Sequence, residues 1–431
     1  MNLAPAETSV ESPSRAPAPA VIGAHAAAVG LLVVGLAAVL VRPLASLTPP
    51  GGALAWFDAD HLQLVRAYRE PRYVVGLVAL LAGVAIPLVI ALTPAGRRLS
   101  NRLVARIGLA RPARAAAAVV LAVVVVIDVA LLPLAFWSSY VHEGAYGFRT
   151  HGLGGWAYDW LVTRAPAWLA AGALALGGYA LMRRFPHAWP PLAGLAAAGL
   201  TAVLVFASPL ILEPLLFRTA PLPDGPAREA IQRVVERADA EIHTLLVADA
   251  SRRTTKHNAY VSGLGQTRRV VVWDTLLADQ TPDDVAMVVA HELGHHLHAD
   301  VLRNTLFAGA GAVAVAYALA ALLRWRTRRG GQESPADPRA AVVALAAILV
   351  LNAASLPVQS WASRRAEAAA DYASLNLTAD PDTYLQMHTS LARANLSDPQ
   401  PPMWVYLLWF SHPSSAQRLR MGESWAAAVE R

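Results

Sequence analysis

The stretch TPDDVAMVVAHELGHHLHAD, residues 281–300, decides how the rest of the chain is read. Thr281, Pro282 and Asp284 supply an N-cap, a proline at the first helical position and an acid three residues after the cap, so a helix is predicted to begin near Pro282. His291 and His295 stand four residues apart on it, and both imidazoles leave one face at neighbouring heights. Two neutral ring nitrogens about a turn apart are what a tetrahedral zinc ion takes from a single helix. Glu292, beside the first histidine, is placed to hold a water molecule and accept its proton, which completes an HExxH arrangement. Gly294 costs helix propensity but lets another segment approach closely. His296 and His298 point to other faces and read as packing or surface residues.

Outward from this stretch the chain is a membrane protein. Its 431 residues are 55% hydrophobic and 15% charged, with a mean hydropathy of +0.40, whereas a soluble chain carries about 25% charged residues. Seven apolar runs, at 20–41, 73–92, 115–136, 166–182, 190–211, 305–323 and 340–358, stand out, and several reach the ~20 residues a helix needs to cross hydrocarbon. The predicted fold is mainly α, a polytopic bundle of seven transmembrane helices with a small α+β zinc metallopeptidase domain containing a β-hairpin. Residues 1–19, rich in Pro, Ala and Ser, are expected to be disordered. A five-helix membrane region covers 20–211, and a metallopeptidase segment with the histidine pair covers 212–304. Helices six and seven fall in 305–358 and a C-terminal metallopeptidase segment in 359–431. Run 20–41 is too long for a signal-peptide core and lacks a clear cleavage site, so it reads as the first membrane helix.

In the longer polar segment, 226–241 is helix-like, and the β-like runs 242–250 and 268–277 flank HNAYVSGLGQT, which reads as the turn of a hairpin. The helix from Pro282 can continue into the sixth membrane helix. A catalytic zinc takes three protein ligands and keeps one position open. Glu367, in SRRAEAAADYA (363–373) just past the seventh run, is the candidate third ligand. Asp371 lies one turn later on the same face, placed to accept the free N–H of a ligating histidine.

Composition excludes other chemistry. With no cysteine there are no disulfides, thiolate metal sites or cysteine nucleophiles. The net charge of +6 is spread over short loops, which fits anionic lipid surfaces better than nucleic acid. Lys256 is the only lysine against 35 arginines, a bias that points to a GC-rich bacterial genome and a bacterial cell membrane. Six arginines and no acid in 93–114, Arg183 and Arg184, and RWRTRRGG (324–331) belong to loops that seven crossings place on one side, read as cytoplasmic. His25 and Asp128 lie inside apolar runs, where pairing within the bundle or an inner water-filled chamber accounts for them. Trp137, Tyr140 and Trp325 near run ends fit interfacial anchoring. The run WVYLLWF (404–410) either lines a substrate path or docks on lipid.

The segments HNAYVSGLGQTRRVVVWDTLL, HELGH, SRRAEAAAD and SHPSSAQRLR occur in the order seen in the type I CAAX prenyl proteases, and YGFRTHGLGGWAYDWL (146–161) and PLLFRTAPLPDG (214–225) are similar to their membrane region. The chain resembles this family of seven-helix integral-membrane zinc metallopeptidases over roughly residues 130 to 425. The resemblance implies His291, His295 and Glu367 as ligands of one zinc ion per chain, Glu292 as general base and Asp371 as the acid behind a ligand. It matches Asn258 and Ala259 to an edge strand that pairs with the substrate backbone. His412 and Arg418 match residues brought near the metal, His412 as the donor to the tetrahedral oxyanion and Arg418 as a positioning group paired with a carboxylate. The implied partners are membrane lipids and a peptide or protein substrate, lipidated ones among them, and not nucleic acid. Asp300 departs from the family, which often has a histidine nine residues after the first ligand, and is read as leaving the ligands untouched. Eukaryotic members hold the metal on the cytosolic side, opposite to the arginine count. In a bacterium without prenylated proteins the substrates would be other membrane-associated peptides. Alternatives are an HtpX-like quality-control protease, a non-catalytic zinc-binding scaffold, which the intact Glu292 argues against, and a metal transporter, which would want its ligands within the spans.

Overall fold

The structure, a computed structural model, describes residues 55–431 apart from 109, 264–266 and 331–333. The tail 1–19, the run 20–41 and His25 lie outside the described residues. In chain order come helices α1 (Ala59–Leu92), α2 (Pro94–Ile107) and α3 (Pro112–Phe136), a π-turn (Trp137–Val141) and α4 (His142–Ala145). Helices α5 (Leu153–Arg184) and α6 (Trp189–Leu216) lead to strand β1 (Thr219–Pro221), α7 (Pro226–Arg237), β2 (Thr244–Ala248), β3 (Ala259–Ser262) and β4 (Arg269–Trp273). Then follow α8 (Asp274–Asp279), α9 (Pro282–Leu297), α10 (Asp300–Arg328), α11 (Ala341–Thr378), α12 (Pro381–Ala394), α13 (Met403–Trp409) and α14 (Ser415–Val429).

Among the described residues six helical stretches are long and apolar enough to cross a membrane, and they contain the second to seventh apolar runs. One core joins Val104 of α2, Met182 of α5, Trp189 of α6, Leu323 of α10 and Ala340 before α11. The three arginine-bearing connections therefore gather at one end of the bundle, and His291 and Glu367 lie towards the other. Helix α11 spans 38 residues, about 57 Å at 1.5 Å per residue, against a hydrocarbon thickness of ~30 Å. The seventh span thus runs well past the lipid, and its extension carries Glu367 and Asp371. Asp128, within α3, accepts a hydrogen bond from Trp168 Nε1 (2.5 Å) and lies 3.8 Å from Arg164 Nη1, so it is paired inside the bundle.

The sheet order is β1-β2-β4-β3. Strands β2 and β4 are parallel neighbours, so the two runs expected to form a hairpin do not. The antiparallel partner of β4 is β3, drawn from the segment read as a turn, with Tyr260 opposite Val271 and Val261 opposite Val270. Tyr260 and Val261 are themselves strand-forming residues, and the long connection between β2 and β4 is what a parallel pair requires. Val270, Val271 and Val272 are fully buried, which suits a central strand covered on both faces.

Helix α9 opens on a reciprocal cap, with Thr281 Oγ1 accepting from Asp284 N (3.2 Å) and Asp284 Oδ2 accepting from Thr281 N (3.3 Å). Its Val285, Met287, Val289 and Leu293 pack with Ile231 of α7, Val272 of β4, Leu375 of α11 and Met387 of α12. The helix does not continue into the sixth membrane helix. Ala299 takes a left-handed conformation (φ 51°, ψ 38°) that separates α9 from α10. Such a residue costs about 1–2 kcal/mol when it is not glycine, and the bend it makes folds Asp300 back onto α9.

Candidate metal centre

Helices α9 and α11 meet backbone to backbone. A Cβ on Gly294 would lie 2.8 Å from Ala370 Cα and 2.9 Å from its carbonyl oxygen, so a side chain there would push the helices apart. This is the close approach the glycine promised. It brings one ligand atom each of His291, His295 and Glu367 within 4.8 Å of one another, although 72 residues separate His295 from Glu367. Glu367 Oε2 lies 3.2 Å from His291 Nε2, and its Oε1 lies 3.5 Å from His295 Nε2.

The far side of each ring is also taken. Asp371 Oδ1 is 2.8 Å from His291 Nδ1, and Asp371 is completely buried. His295 Nδ1 is hydrogen-bonded to Asp300 Oδ2 at 2.9 Å. A carboxylate on Nδ1 places the proton there and leaves the Nε2 lone pair facing Glu367. Two imidazole nitrogens with fixed tautomers and one carboxylate oxygen are a donor set that suits zinc with a fourth position open. Asp300 leaves the set of three converging residues unchanged, and its contact with the His295 ring is one the sequence reading did not foresee. The left-handed turn at Ala299 that brings it back is not encoded by any turn-favouring residue.

Glu292 is half-buried beside this cluster. Burial pushes its carboxyl up, against the opposing pull of His291 and His295. Arg418 ties the carboxylates together, with Nη2 donating to Glu367 Oε2 (3.1 Å) and Nε lying 3.1 Å from Asp371 Oδ2. His412 Nδ1 is 2.6 Å from Glu367 Oε2 and 2.7 Å from Arg418 Nη2, and its ring is half exposed. Ser414 caps α14 and so directs Arg418, four residues on, towards the cluster.

His296 and His298 stand outside the cluster, and His298 Nδ1 contacts Gly294 O at 2.7 Å. Ala259 opens the edge strand β3, which α9 packs against, and Asn258 immediately precedes it. A residue the sequence did not single out is His388, buried on α12 with Nε2 3.7 Å from Asp371 Oδ1 and its ring 4.3 Å from that of Tyr384. Burial drives its pKa down to about 3, so its ring is neutral. The available signal was spacing, since Tyr384, Met387 and His388 share one helical face.

The run at 404–410 forms α13 and its end, and it is held from α11. Arg364 Nη1 donates to the carbonyls of Tyr406 (2.7 Å) and Phe410 (2.6 Å). Trp409 meanwhile packs beside Gly76 of α1.

Residues 221–426 match the family model described as Peptidase family M48, and residues 42–218 match the one described as CAAX prenyl protease N-terminal, five membrane helices. An uncharacterized metalloprotease of Bacillus subtilis, YhfN, is 26% identical over 68% of this chain and 70% of that protein. CAAX prenyl protease 1 of Saccharomyces cerevisiae is 27% identical over 41% of this chain and 39% of its own length. The crystal structure of S. mikatae Ste24p superposes with a TM-score of 0.75 at 20% identity, covering 87% of this chain and 92% of that one.

Proposed function

The chain belongs to the CAAX prenyl protease family of membrane-embedded metalloendopeptidases acting on peptides or proteins, and from that premise we propose that it works with a single zinc ion held by His291, His295 and Glu367. The observation that carries this reading is the convergence of those three side chains on one point. Zinc bound there would polarise the scissile carbonyl and make water acidic enough to lose a proton near neutral pH. Glu292 accepts that proton and hands it to the departing amine, a role favoured by a carboxyl whose burial makes it hold a proton more readily. Asp371 and Asp300 orient the two histidines, and Arg418 holds Glu367 and Asp371 in place.

His412 supplies the donor for the oxyanion. Its Nδ1 accepts from Arg418 Nη2, which places the ring proton on Nε2 and leaves that N–H for the substrate. His412→Ala is expected to lower kcat by about 10²–10³-fold while zinc content stays at the wild-type level. An unchanged kcat would remove His412 from the reaction. The outer edge of β3, beginning at Ala259, pairs with an extended substrate by strand addition, and Asn258 just before it ties the chain to β4. The substrates are membrane-associated peptides, with lipidated ones included, and the setting is a bacterial cell membrane, supported by the arginine bias and the Bacillus relative.

The test is metal analysis of the purified protein coupled to cleavage of an internally quenched peptide. About one zinc per chain is expected. Chelation with 1,10-phenanthroline should stop cleavage, and added zinc should restore it. Full activity in protein stripped of metal would overturn the reading.

A further inference from the structure

Among the described residues strand β3 has β4 as its only neighbour in the sheet, yet the chain leading into it is pinned at every residue. Thr254 bridges to Arg149, and Thr255 N donates to Phe148 O at 3.0 Å, both in the loop after α4. Lys256 reaches Tyr68 Oη of α1 (2.8 Å) and Glu143 Oε2 (2.7 Å), and its own carbonyl accepts from Thr275 Oγ1 (2.7 Å). The backbone of Asn258 faces β4, since its carbonyl accepts from Trp273 N at 3.0 Å. In an antiparallel pair the groups of successive residues alternate in direction. The N–H and C=O of His257 therefore face away from β4, on the side a substrate strand would occupy.

Both are already engaged. Asn395 Oδ1 accepts from His257 N at 3.0 Å, and Asn395 Nδ2 donates to His257 O at 3.2 Å. A side-chain amide here makes the two bonds that a neighbouring strand would make. Asn395 is itself fixed at the end of α12, where Arg69 of α1 donates to the carbonyls of Asn395 (3.0 Å) and Leu396 (2.6 Å). By the same alternation, Ala259 and Val261 are the residues of β3 whose backbone groups face the open side.

The geometry points to Asn395 as a register stop: it closes the edge of β3 at His257, so that a substrate backbone can pair only from Ala259 onward, and a peptide end that abuts Asn395 is held in one register and cut at one bond. This inference rests on the proposed pairing of substrate with β3. Asn395 is a positioning residue, acting through the strand. The clamp also gives membrane helix α1 a direct hold on the frame against which the substrate is measured, through Arg69 on Asn395 and Tyr68 on Lys256.

The test uses the full-length zinc-loaded protein in detergent and an internally quenched ten-residue peptide that it cleaves, with single N-methyl residues placed along the peptide and products identified by mass spectrometry. In the wild type, cleavage at one bond is expected. N-methylation should slow it about tenfold at the positions whose N–H would meet Ala259 and Val261, as for loss of one well-placed hydrogen bond, and leave other positions unaffected. In Asn395→Ala, with zinc content unchanged, a second cut two residues away is expected, together with a new N-methyl-sensitive position. Asn395→Asp keeps the acceptor for His257 N but sets a carboxylate oxygen against the His257 carbonyl, so the second cut is expected there as a minor product, and its absence overturns the register stop if the alanine variant fails to fold. A single unchanged cut in Asn395→Ala with the wild-type N-methyl pattern would overturn the register stop. If N-methylation has no effect anywhere in the wild type, strand pairing itself fails, which is a separate outcome.

Discussion

Replacing Glu292 by glutamine is expected to leave the metal in place and to lower the rate of peptide cleavage by about 10²–10⁴-fold, the range for loss of a positioned general base. The substitution preserves shape and removes only the ability to take a proton. Glu292 contributes none of the three converging ligand atoms, which come from His291, His295 and Glu367. Its helix is fixed independently, by the Thr281–Asp284 cap and by the buried Val285, Val289 and Leu293. Binding of metal and turnover should therefore separate cleanly. Zinc per chain would be measured beside the initial rate on one preparation. A variant that retains zinc and still cuts at the wild-type rate would mean another group accepts the proton. The same inactive form is the tool for trapping substrates in cells, since it should bind them without releasing products.

Glu367→Gln is expected to fail at the earlier step, losing the metal and activity together. Glu367 is the common partner of His291, His295, His412 and Arg418, so its charge is the one negative centre on which four nitrogen groups converge. Without it, the two histidines on α9 would hold the metal alone. The loss in affinity should exceed the 10–100-fold typical when only an outer partner of a ligand is removed, and Asp371→Asn provides that comparison. Stripping one partner from a buried ion pair costs about 3–5 kcal/mol when the other is left alone. Arg418 keeps Asp371 as a partner, so the fold should survive, with a smaller fall in thermal stability. Equilibrium dialysis against buffered zinc would measure the order wild type, Asp371→Asn, Glu367→Gln. Stoichiometric zinc in the last would move the third ligand to another residue.

These two substitutions also separate what different parts of the molecule do. One carboxylate stands beside a ligand on α9, the other faces α9 from α11, and their neighbours come from α10, α12 and α14. His388 shows how far the arrangement extends, a neutral ring packed behind Asp371 with no charge to offer.

The sequence by itself determined everything that depends on near neighbours. The cap at Thr281, the pair of histidines one turn apart with Glu292 between them, and the apolar runs that become α1, α3, α5, α6, α10 and α11 are all set by spacing along the chain, because helix geometry repeats every few residues. Glu367 and Asp371 could be nominated for the same reason, as two acids on one helical face. Tertiary structure alone decided which distant groups meet. The parallel pairing of β2 with β4, the left-handed Ala299 that swings Asp300 onto His295, and the contact of Gly294 with Ala370 all depend on long-range packing. So does the hold of Asn395 on His257, across 138 residues. No local pattern encodes such contacts, because their free energy comes from surfaces that face one another only once the whole chain has folded.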